Sequence, residues 1–281
     1  MRLWIRQIRW ECVKLCAQRR VWLGFAICAL VEIVFALLFK IPQVRALAEG
    51  DLRLANVRFS EAFSGLTMAA HLIGEASMLV GALFVAMVAG GIVSGEAEEG
   101  TLRMVLSRPV PRTRVWLQRL LVSSGYTLAL SAFITATSLM IGLAFEGPGR
   151  LLMVMPRENV TGDFSLAEGL VRYALASTLL AASMLTISLF AFALSCSHIK
   201  PAAAAALALT VFIADGSLRQ MPAAAPVKKH FLMTRMISWL HAFDGTIPWA
   251  LIRQNYTWLL ILDAALIGLS CAAFRRLELK P

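Results

Sequence analysis

The stretch GEAEEGTLRMVLSRPVPRTRVWLQRL, residues 95–120, places a dense charged block between two long apolar runs. Three glutamates, Glu96, Glu98 and Glu99, come first, and several arginines follow them as far as Arg119. A block with this much charge is too costly to bury in hydrocarbon, whereas the flanking runs are apolar enough to cross it. We therefore expect the block to lie at a membrane surface and to connect two membrane spans.

The whole chain has the composition of a membrane protein. Of its 281 residues, 59% are hydrophobic and 16% are charged, and the mean hydropathy is +0.72. A soluble domain is about 45–50% apolar and about 25% charged. The apolar residues are concentrated in blocks, and one transmembrane helix needs about 20 of them. The sequence therefore predicts one integral membrane domain, residues 1–281.

Six apolar runs are long enough to cross a bilayer as helices. Runs of this length exclude barrel strands, and lipid offers no hydrogen-bond partner to a backbone outside a helix or a closed barrel. The prediction is an all-α integral membrane protein with spans at residues 21–39, 70–93, 117–145, 170–194, 202–218 and 258–274. Small residues crowd the second and fifth runs and allow close helix approach. The apolar loops 151–156 and 231–243 are expected to hold short interfacial helices.

Residues 1–20 are amphipathic, because apolar side chains recur at helical spacing among many arginines. This pattern predicts an interfacial helix lying along the membrane surface. The alternative is a cytosolic helix that simply precedes the first span. A cleaved signal peptide is not favoured, because its apolar core would have about 7–15 residues, fewer than residues 21–39 provide. Lys and Arg are denser in the segments on the N-terminal side of the membrane, which predicts that both termini are cytoplasmic. The charged block would then face the cytoplasm.

No motif for nucleotide hydrolysis or other catalysis occurs in the sequence. The patterns GxxxxGK[ST], HExxH and GxSxG are absent, the four histidines lie in separate segments, and the five cysteines form no CxxC pair. The net charge of +10 does not indicate nucleic acid, because the cations lie between apolar runs and no aromatic-basic reader motif occurs. We expect no catalytic, metal-binding or cofactor-binding residue on this chain, so energy would come from a partner or an ion gradient.

The charged block resembles the signature of the ABC-2 type permeases, which are membrane subunits of bacterial ABC exporters. That signature follows the second span and reads E-x-x-x-G-T-L, a few apolar residues, then P-[VI]-S-R and a basic residue that opens the next span. The matching positions are Glu96, Gly100, Thr101, Leu102, Pro109, Val110, Arg112 and Arg119. Pro111 stands where Ser is common, and it still ends the short helix. Arg119 stands where Lys is common, and it keeps the positive charge.

The resemblance implies a permease that pairs with an identical or related chain and binds two separate ABC ATPase subunits. ATP and Mg would be bound by those partners, and this chain would not be an enzyme. Accessory periplasmic or membrane proteins are further partners that the resemblance allows, and the location would be the bacterial plasma (inner) membrane. Residues 95–116 would be the cytoplasmic coupling segment. Its ATPase-coupling residues would be Glu96, Glu98, Glu99, Gly100, Thr101, Leu102, Arg103, Arg108, Pro109 and Arg112.

On physical grounds the same segment is a loop followed by a short helix. Thr101 is a plausible N-cap for that helix, and the two prolines Pro109 and Pro111 end it. The alternative is a solvated loop whose arginines only set the membrane topology.

Four acidic residues fall within the predicted spans; Asp215 lies at the end of one and is interpreted as interfacial, which leaves Glu32, Glu75 and Asp263. An ionisable group at lipid depth costs at least about 2.5–3.5 kcal/mol, so it usually faces protein or water and often marks function. These residues are candidates for a transport path, and they favour a cationic or amphipathic cargo; the alternative is interhelical hydrogen bonding. Two other functions stay open. An ion-gradient-driven secondary transporter or channel would need no ATPase, and a non-transporting membrane scaffold would tolerate neutralisation of these acids.

Overall fold

The computed structural model of the chain describes residues 2–41, 64–107, 110–155, 158, 160–197 and 199–277. The structure is 83% helical, and the described residues include six helices that are long and apolar enough to cross a membrane. The all-α membrane class predicted from the sequence is therefore confirmed.

The six membrane-length helices are α2, α3, α6, α7, α8 and α10, and shorter elements connect them. In chain order the elements are α1 (Arg2–Cys16), α2 (Arg19–Leu38), α3 (Gly65–Gly91), α4 (Ser94–Glu98), α5 (Thr101–Leu106), α6 (Arg112–Glu146), β1 (Leu151–Met155), β2 (Val160–Phe164), α7 (Leu166–Ser195), α8 (Pro201–Arg219), α9 (Leu232–Met236) and α10 (Trp249–Arg276). Two 3₁₀ segments, Pro222–His230 and Ile237–Phe243, flank α9.

The last helix, α10, begins well before the apolar run that predicted it. Its first turns contain Arg253 and Asn255, which lower the hydropathy below that of a span. Asn255 nevertheless has a partner inside the protein, because its amide donates to the Ser238 hydroxyl at 2.6 Å. This hydrogen bond is one protein contact that stabilises these turns.

Helices α3 and α7 form the centre of the bundle. Most of their residues are buried, whereas α2, α6, α8 and α10 keep most of theirs on the outside, where lipid would solvate them. The first half of α3 packs on α6 and its second half packs on α7 and α8. Gly90 permits the contact with α8, because a Cβ there would lie 3.0 Å from the backbone nitrogen of Ala205. The close approach predicted from the small residues thus occurs within one chain.

The two ends of the bundle differ. The end that carries α1, α4, α5 and the last turn of α10 is called here the α1 end, and the end that carries β1 and β2 is called the hairpin end. At the hairpin end, Arg219 forms an ion pair with Glu158 at 2.5 Å. The Asp215 carboxylate accepts the N–H groups of Leu232 and Met233, at 3.2 and 2.6 Å. The segment between α8 and α10 is thereby fixed to both α8 and the β1–β2 connection.

The expectation of an interfacial helix at residues 151–156 is wrong for the part that the structure describes. Leu151–Met155 is a strand, paired antiparallel with Val160–Phe164. Leu151 and Met153 are buried and alternate with less buried residues, which is the period of two that a strand imposes. The second expected interfacial region, residues 231–243, is confirmed as helical, with α9 and a 3₁₀ segment.

Candidate functional site

The charged block folds at the α1 end into α4, α5 and the first turns of α6. Helix α4 begins at Ser94, and the first N–H groups of a helix have no partner within that helix. Here the Ser195 hydroxyl, at the end of α7, accepts the N–H groups of Val93 and Ser94 at 3.1 and 3.0 Å. The connection from α3 to α4 is therefore fixed to α7.

Glu96 lies at the centre of a buried charge network that joins α1, α4 and α6. Its Oε2 accepts Nε of Arg119 at 3.1 Å and lies 2.9 Å from Nη2, and its Oε1 accepts Nζ of Lys14 at 2.6 Å. Arg119 forms a second ion pair, with Glu11 of α1. The side chains of Arg119 and Glu96 are only 2% and 9% exposed, so each charge depends on the others for its stabilisation.

Gly100 makes the turn between α4 and α5. Its φ of 72° lies in the left-handed region, which glycine adopts without the steric cost that a Cβ brings. Thr101 was expected to cap α5, but it is the first residue of that helix, and its hydroxyl donates to the Glu96 carbonyl oxygen at 3.2 Å. Leu102 is fully buried and anchors α5 to the core. The residues expected to form a loop before α5 are largely helical, as α4.

The other side of α4 and α5 is exposed. Glu98, Glu99 and Arg103 are exposed, and the Met104 side chain is 65% exposed. These residues lie on short helices outside the six membrane-length helices. This surface, residues Glu98, Glu99, Arg103 and Met104, is called here the α4–α5 face. It combines three charged side chains with one large apolar side chain.

Arg112, another predicted coupling residue, does not belong to that face. Arg112 donates from Nη1 to the carbonyl oxygens of Arg275 and Leu277, at 3.1 and 3.0 Å, and so ties the start of α6 to the end of α10. Arg108 and Pro109 lie outside the described residues. The structure thus divides the predicted set into residues that brace the segment and residues that are exposed on it.

Sequence reasoning missed Glu11, Lys14 and Met104. More than eighty positions separate Lys14 from Glu96, so only the fold brings them together. One signal existed for Glu11, which is the only acidic residue within residues 1–20. A lone carboxylate on a strongly basic helix indicates a specific cationic partner, which here is Arg119.

The three acidic residues of the spans have different surroundings. Glu32 is fully buried; its Oε1 accepts the Ser138 hydroxyl at 2.7 Å, and its Oε2 has no hydrogen-bond partner among the described residues. Asp263 is partly buried on α10. Glu75 is exposed on α3, directly before the π-helical segment Ala76–Gly81. Within the described chain, no hydrogen bond or ion pair joins any two of these three acids.

The fold and this end of the bundle define a multi-pass helical membrane protein with a braced pair of short helices between its second and third spans. Residues 7–215 match the model of a known family, described as ABC-2 family transporter protein. The match covers more than half of the chain, and the chain therefore belongs to the ABC-2 family of transporter proteins. It is a membrane permease of an ABC transporter, and membership implies ABC ATPases as partners in general. No curated protein matches the chain.

Proposed function

We propose that this chain is the permease subunit of an ATP-driven exporter and that an ABC ATPase subunit docks on the α4–α5 face. One observation carries the proposal: the segment is held from within by Glu96 and Leu102 while it exposes Glu98, Glu99 and Met104. A contact surface that receives force must be exposed on one side and fixed on the other. Both conditions are met in α4 and α5.

The brace explains how such a force would reach the membrane spans. Helix α4 follows α3 closely in the chain, and Glu96 on α4 is bound to Arg119 on α6. Movement of the α4–α5 face would therefore displace α3 and α6 together, and α1 with them through Glu11. Displacement of two spans at once would change the passage between this chain and a second permease, whether identical or related.

The proposal includes several further parts. ATP and Mg would be bound by two ATPase subunits, the membrane would be the bacterial plasma membrane, and transport would run outward. Both termini would be cytoplasmic, which the density of Lys and Arg on the N-terminal side supports. These parts follow the family resemblance and the charge pattern. Accessory proteins would be additional to the complex.

For the transport path we propose Glu32, Glu75 and Asp263, with Glu75 as the strongest member. Glu75 is exposed ten residues into α3, at a depth of about 15 Å for a helix that rises about 1.5 Å per residue. An exposed carboxylate at that depth is costly in lipid, so in the working transporter it would face water or protein. The adjoining π-helical segment supports this, because such segments are frequent at functional sites. The cargo would be cationic or amphipathic.

The docking proposal is tested by purifying the tagged chain from its native membrane and identifying ABC ATPases by mass spectrometry. Met104→Asp and Glu99→Arg should each abolish this association and the permease-dependent change in ATP hydrolysis. Arg276→Glu is the matched control, since Arg276 is an exposed cation at the same end of the bundle but lies on α10. Association that survives both α4–α5 variants would overturn the docking site.

A secondary transporter is the alternative, and exposed Glu75 is the observation that favours it. Reconstitution of the chain alone in proteoliposomes separates the two functions. Transport driven by an ion gradient without an ATPase would establish the alternative, whereas transport that requires the ATPase and ATP supports the exporter.

A further inference from the structure

A cavity of about 610 Å³ lies at the α1 end, next to the buried charge network. Its walls come from α1, the start of α2, the end of α3, α4 and the start of α8. Because three membrane-length helices begin or end here, the cavity lies at the boundary between the hydrocarbon and the aqueous side. Phospholipid headgroups occupy that level of a bilayer.

The cavity walls carry opposite charges that do not pair with one another. Arg19 and Arg20 come from the start of α2, and Glu98 and Glu99 come from the end of α4. Across the described residues, none of these four forms an ion pair. The cavity is also lined by Glu11, Lys14 and Glu96 of the buried network, whose charges are paired. Beyond that network, two cations and two anions line the cavity without neutralising each other.

Arg20 is held in place although its charge has no carboxylate partner. Its Nε donates to Oε1 of Gln18 at 2.8 Å, and its guanidinium lies so close to Gly91 that a Cβ there would be 2.9 Å from Nη1. Its remaining N–H groups are therefore pre-organised for an anionic ligand, and guanidinium groups bind phosphate through paired hydrogen bonds.

We propose that this cavity binds the headgroup of a zwitterionic phospholipid that carries a primary ammonium group. Arg19 and Arg20 bind the phosphate, and Glu98 and Glu99 accept the three N–H donors of the ammonium. One such headgroup satisfies both sets of charges. An anionic headgroup leaves the carboxylates unpaired, and a quaternary ammonium has no N–H to donate.

The start of α2 also offers a surface to the acyl chains. Trp22 and Leu23 are exposed immediately after the two arginines, and the Trp22 indole N–H donates to the Cys16 carbonyl oxygen at 2.7 Å. Tryptophan with its N–H satisfied and its ring outward is typical of the membrane interface. The bound molecule is therefore assigned as a lipid rather than as a soluble phosphate ester.

Binding at this cavity would act on the segment that we propose as the ATPase contact, because Glu98 and Glu99 belong to both. An occupied cavity would neutralise these two carboxylates and make docking depend on the lipid. This consequence rests on the proposed function, whereas the binding itself does not.

The binding is tested on the full chain, purified in detergent without any ATPase. Native mass spectrometry would measure the affinities of three phospholipids with identical acyl chains and phosphoethanolamine, phosphocholine or phosphoglycerol headgroups. The phosphoethanolamine lipid should bind most tightly. Substitution of both arginines, Arg19→Gln with Arg20→Gln, should weaken all three by about tenfold, which is the loss expected for hydrogen bonds between charged groups.

The carboxylates give the sharper result. Glu98→Gln with Glu99→Gln should lower the phosphoethanolamine affinity by about tenfold, to the phosphocholine level, and leave phosphocholine binding unchanged. Arg276→Gln, a loss of an exposed cation elsewhere at the α1 end, should leave all three affinities unchanged. Glu99→Gln alone, at an exposed surface position, should reduce the headgroup preference in the same direction.

Two results would overturn the proposal. Tightest binding of the phosphoglycerol lipid, insensitive to the carboxylate substitutions, would mean that the arginines alone bind an anionic lipid. If free phosphoethanolamine bound as tightly as the phosphoethanolamine lipid, the ligand would be a soluble phosphate ester rather than a lipid. If the unmodified chain shows no headgroup preference but does associate with an ABC ATPase, this proposal alone is refuted. If the unmodified chain shows the preference but does not associate with an ABC ATPase, the docking site alone is refuted.

Discussion

The buried charge network leads to a specific prediction for Arg119. Arg119→Met keeps much of the side-chain volume. Among the described residues it leaves Glu96 paired with Lys14 alone and Glu11 without an ion-pair partner. Because the Arg119 side chain is 2% exposed, we expect the free energy of unfolding to fall by about 3–5 kcal/mol, the range for removing one partner of a buried ion pair. Most of that loss comes from the carboxylates left behind.

Lys14→Met is the contrasting variant, because it removes the other cation from the same carboxylate. Lys14 contacts Glu96 at 2.6 Å, yet its side chain is 47% exposed. Water screens such a pair, and we expect a loss of at most about 1 kcal/mol. Unfolding in mixed micelles, followed by tryptophan fluorescence, would rank the two variants.

A triple variant separates charge from packing. Arg119→Met combined with Glu96→Gln and Glu11→Gln should recover part of the lost stability, because no unpaired charge then remains buried. The reasoning would be refuted if Lys14→Met cost as much as Arg119→Met. Absence of any recovery in the triple variant would show that Arg119 acts through packing.

Three further outcomes follow from other parts of the structure. Gly100→Ala should lower the free energy of unfolding by about 1–2 kcal/mol, because the left-handed φ of Gly100 penalises a Cβ, and Gly100→Asn should lower it less. The rate of protease cleavage between α4 and α5 would measure the difference. Gly90→Val should lower the Tm, because its side chain would meet the backbone of Ala205, whereas Gly268→Val on α10 has open space and should not. Glu32→Gln should leave the Tm unchanged, because the amide oxygen still accepts the Ser138 hydroxyl. Glu32→Ala should lower the free energy of unfolding by about 1–3 kcal/mol, because the Ser138 hydroxyl loses this acceptor. Loss of transport in Glu32→Gln would support a place for Glu32 in the transport path.

The membrane class was predictable because hydrophobicity and charge are local properties of the sequence. The six apolar runs and the charged block required no knowledge of tertiary contacts. Tertiary contacts were needed, however, to tell that Glu96 is buried and that Glu98 is exposed. The two residues lie two positions apart, and a helix turns by about 100° per residue, so they point to different sides. Which side faces α6 is decided by packing, and the sequence treats both as equivalent carboxylates.

The strand at Leu151–Met155 was missed for a related reason. An apolar run of five residues is compatible with a short helix and with a strand, since it shows no period of its own. Its partner Val160–Phe164 contains Thr, Gly and Asp and has little hydrophobic signal. Only the pairing of the two segments, with Leu151 opposite Phe164, selects the strand.

The network also gives a physical reason for one departure from the family pattern. The resemblance places Lys where this chain has Arg119, and an ammonium group is a compact point charge. The planar guanidinium of Arg119 binds Glu96 through Nε and Nη2 and still directs Nη1 to Glu11. A lysine would have to reach both carboxylates from a single nitrogen, whereas the guanidinium reaches them from separate nitrogens of a planar group. The substitution is therefore matched to Glu11, and it joins α1, which lies outside the motif, to the two helices that the motif connects.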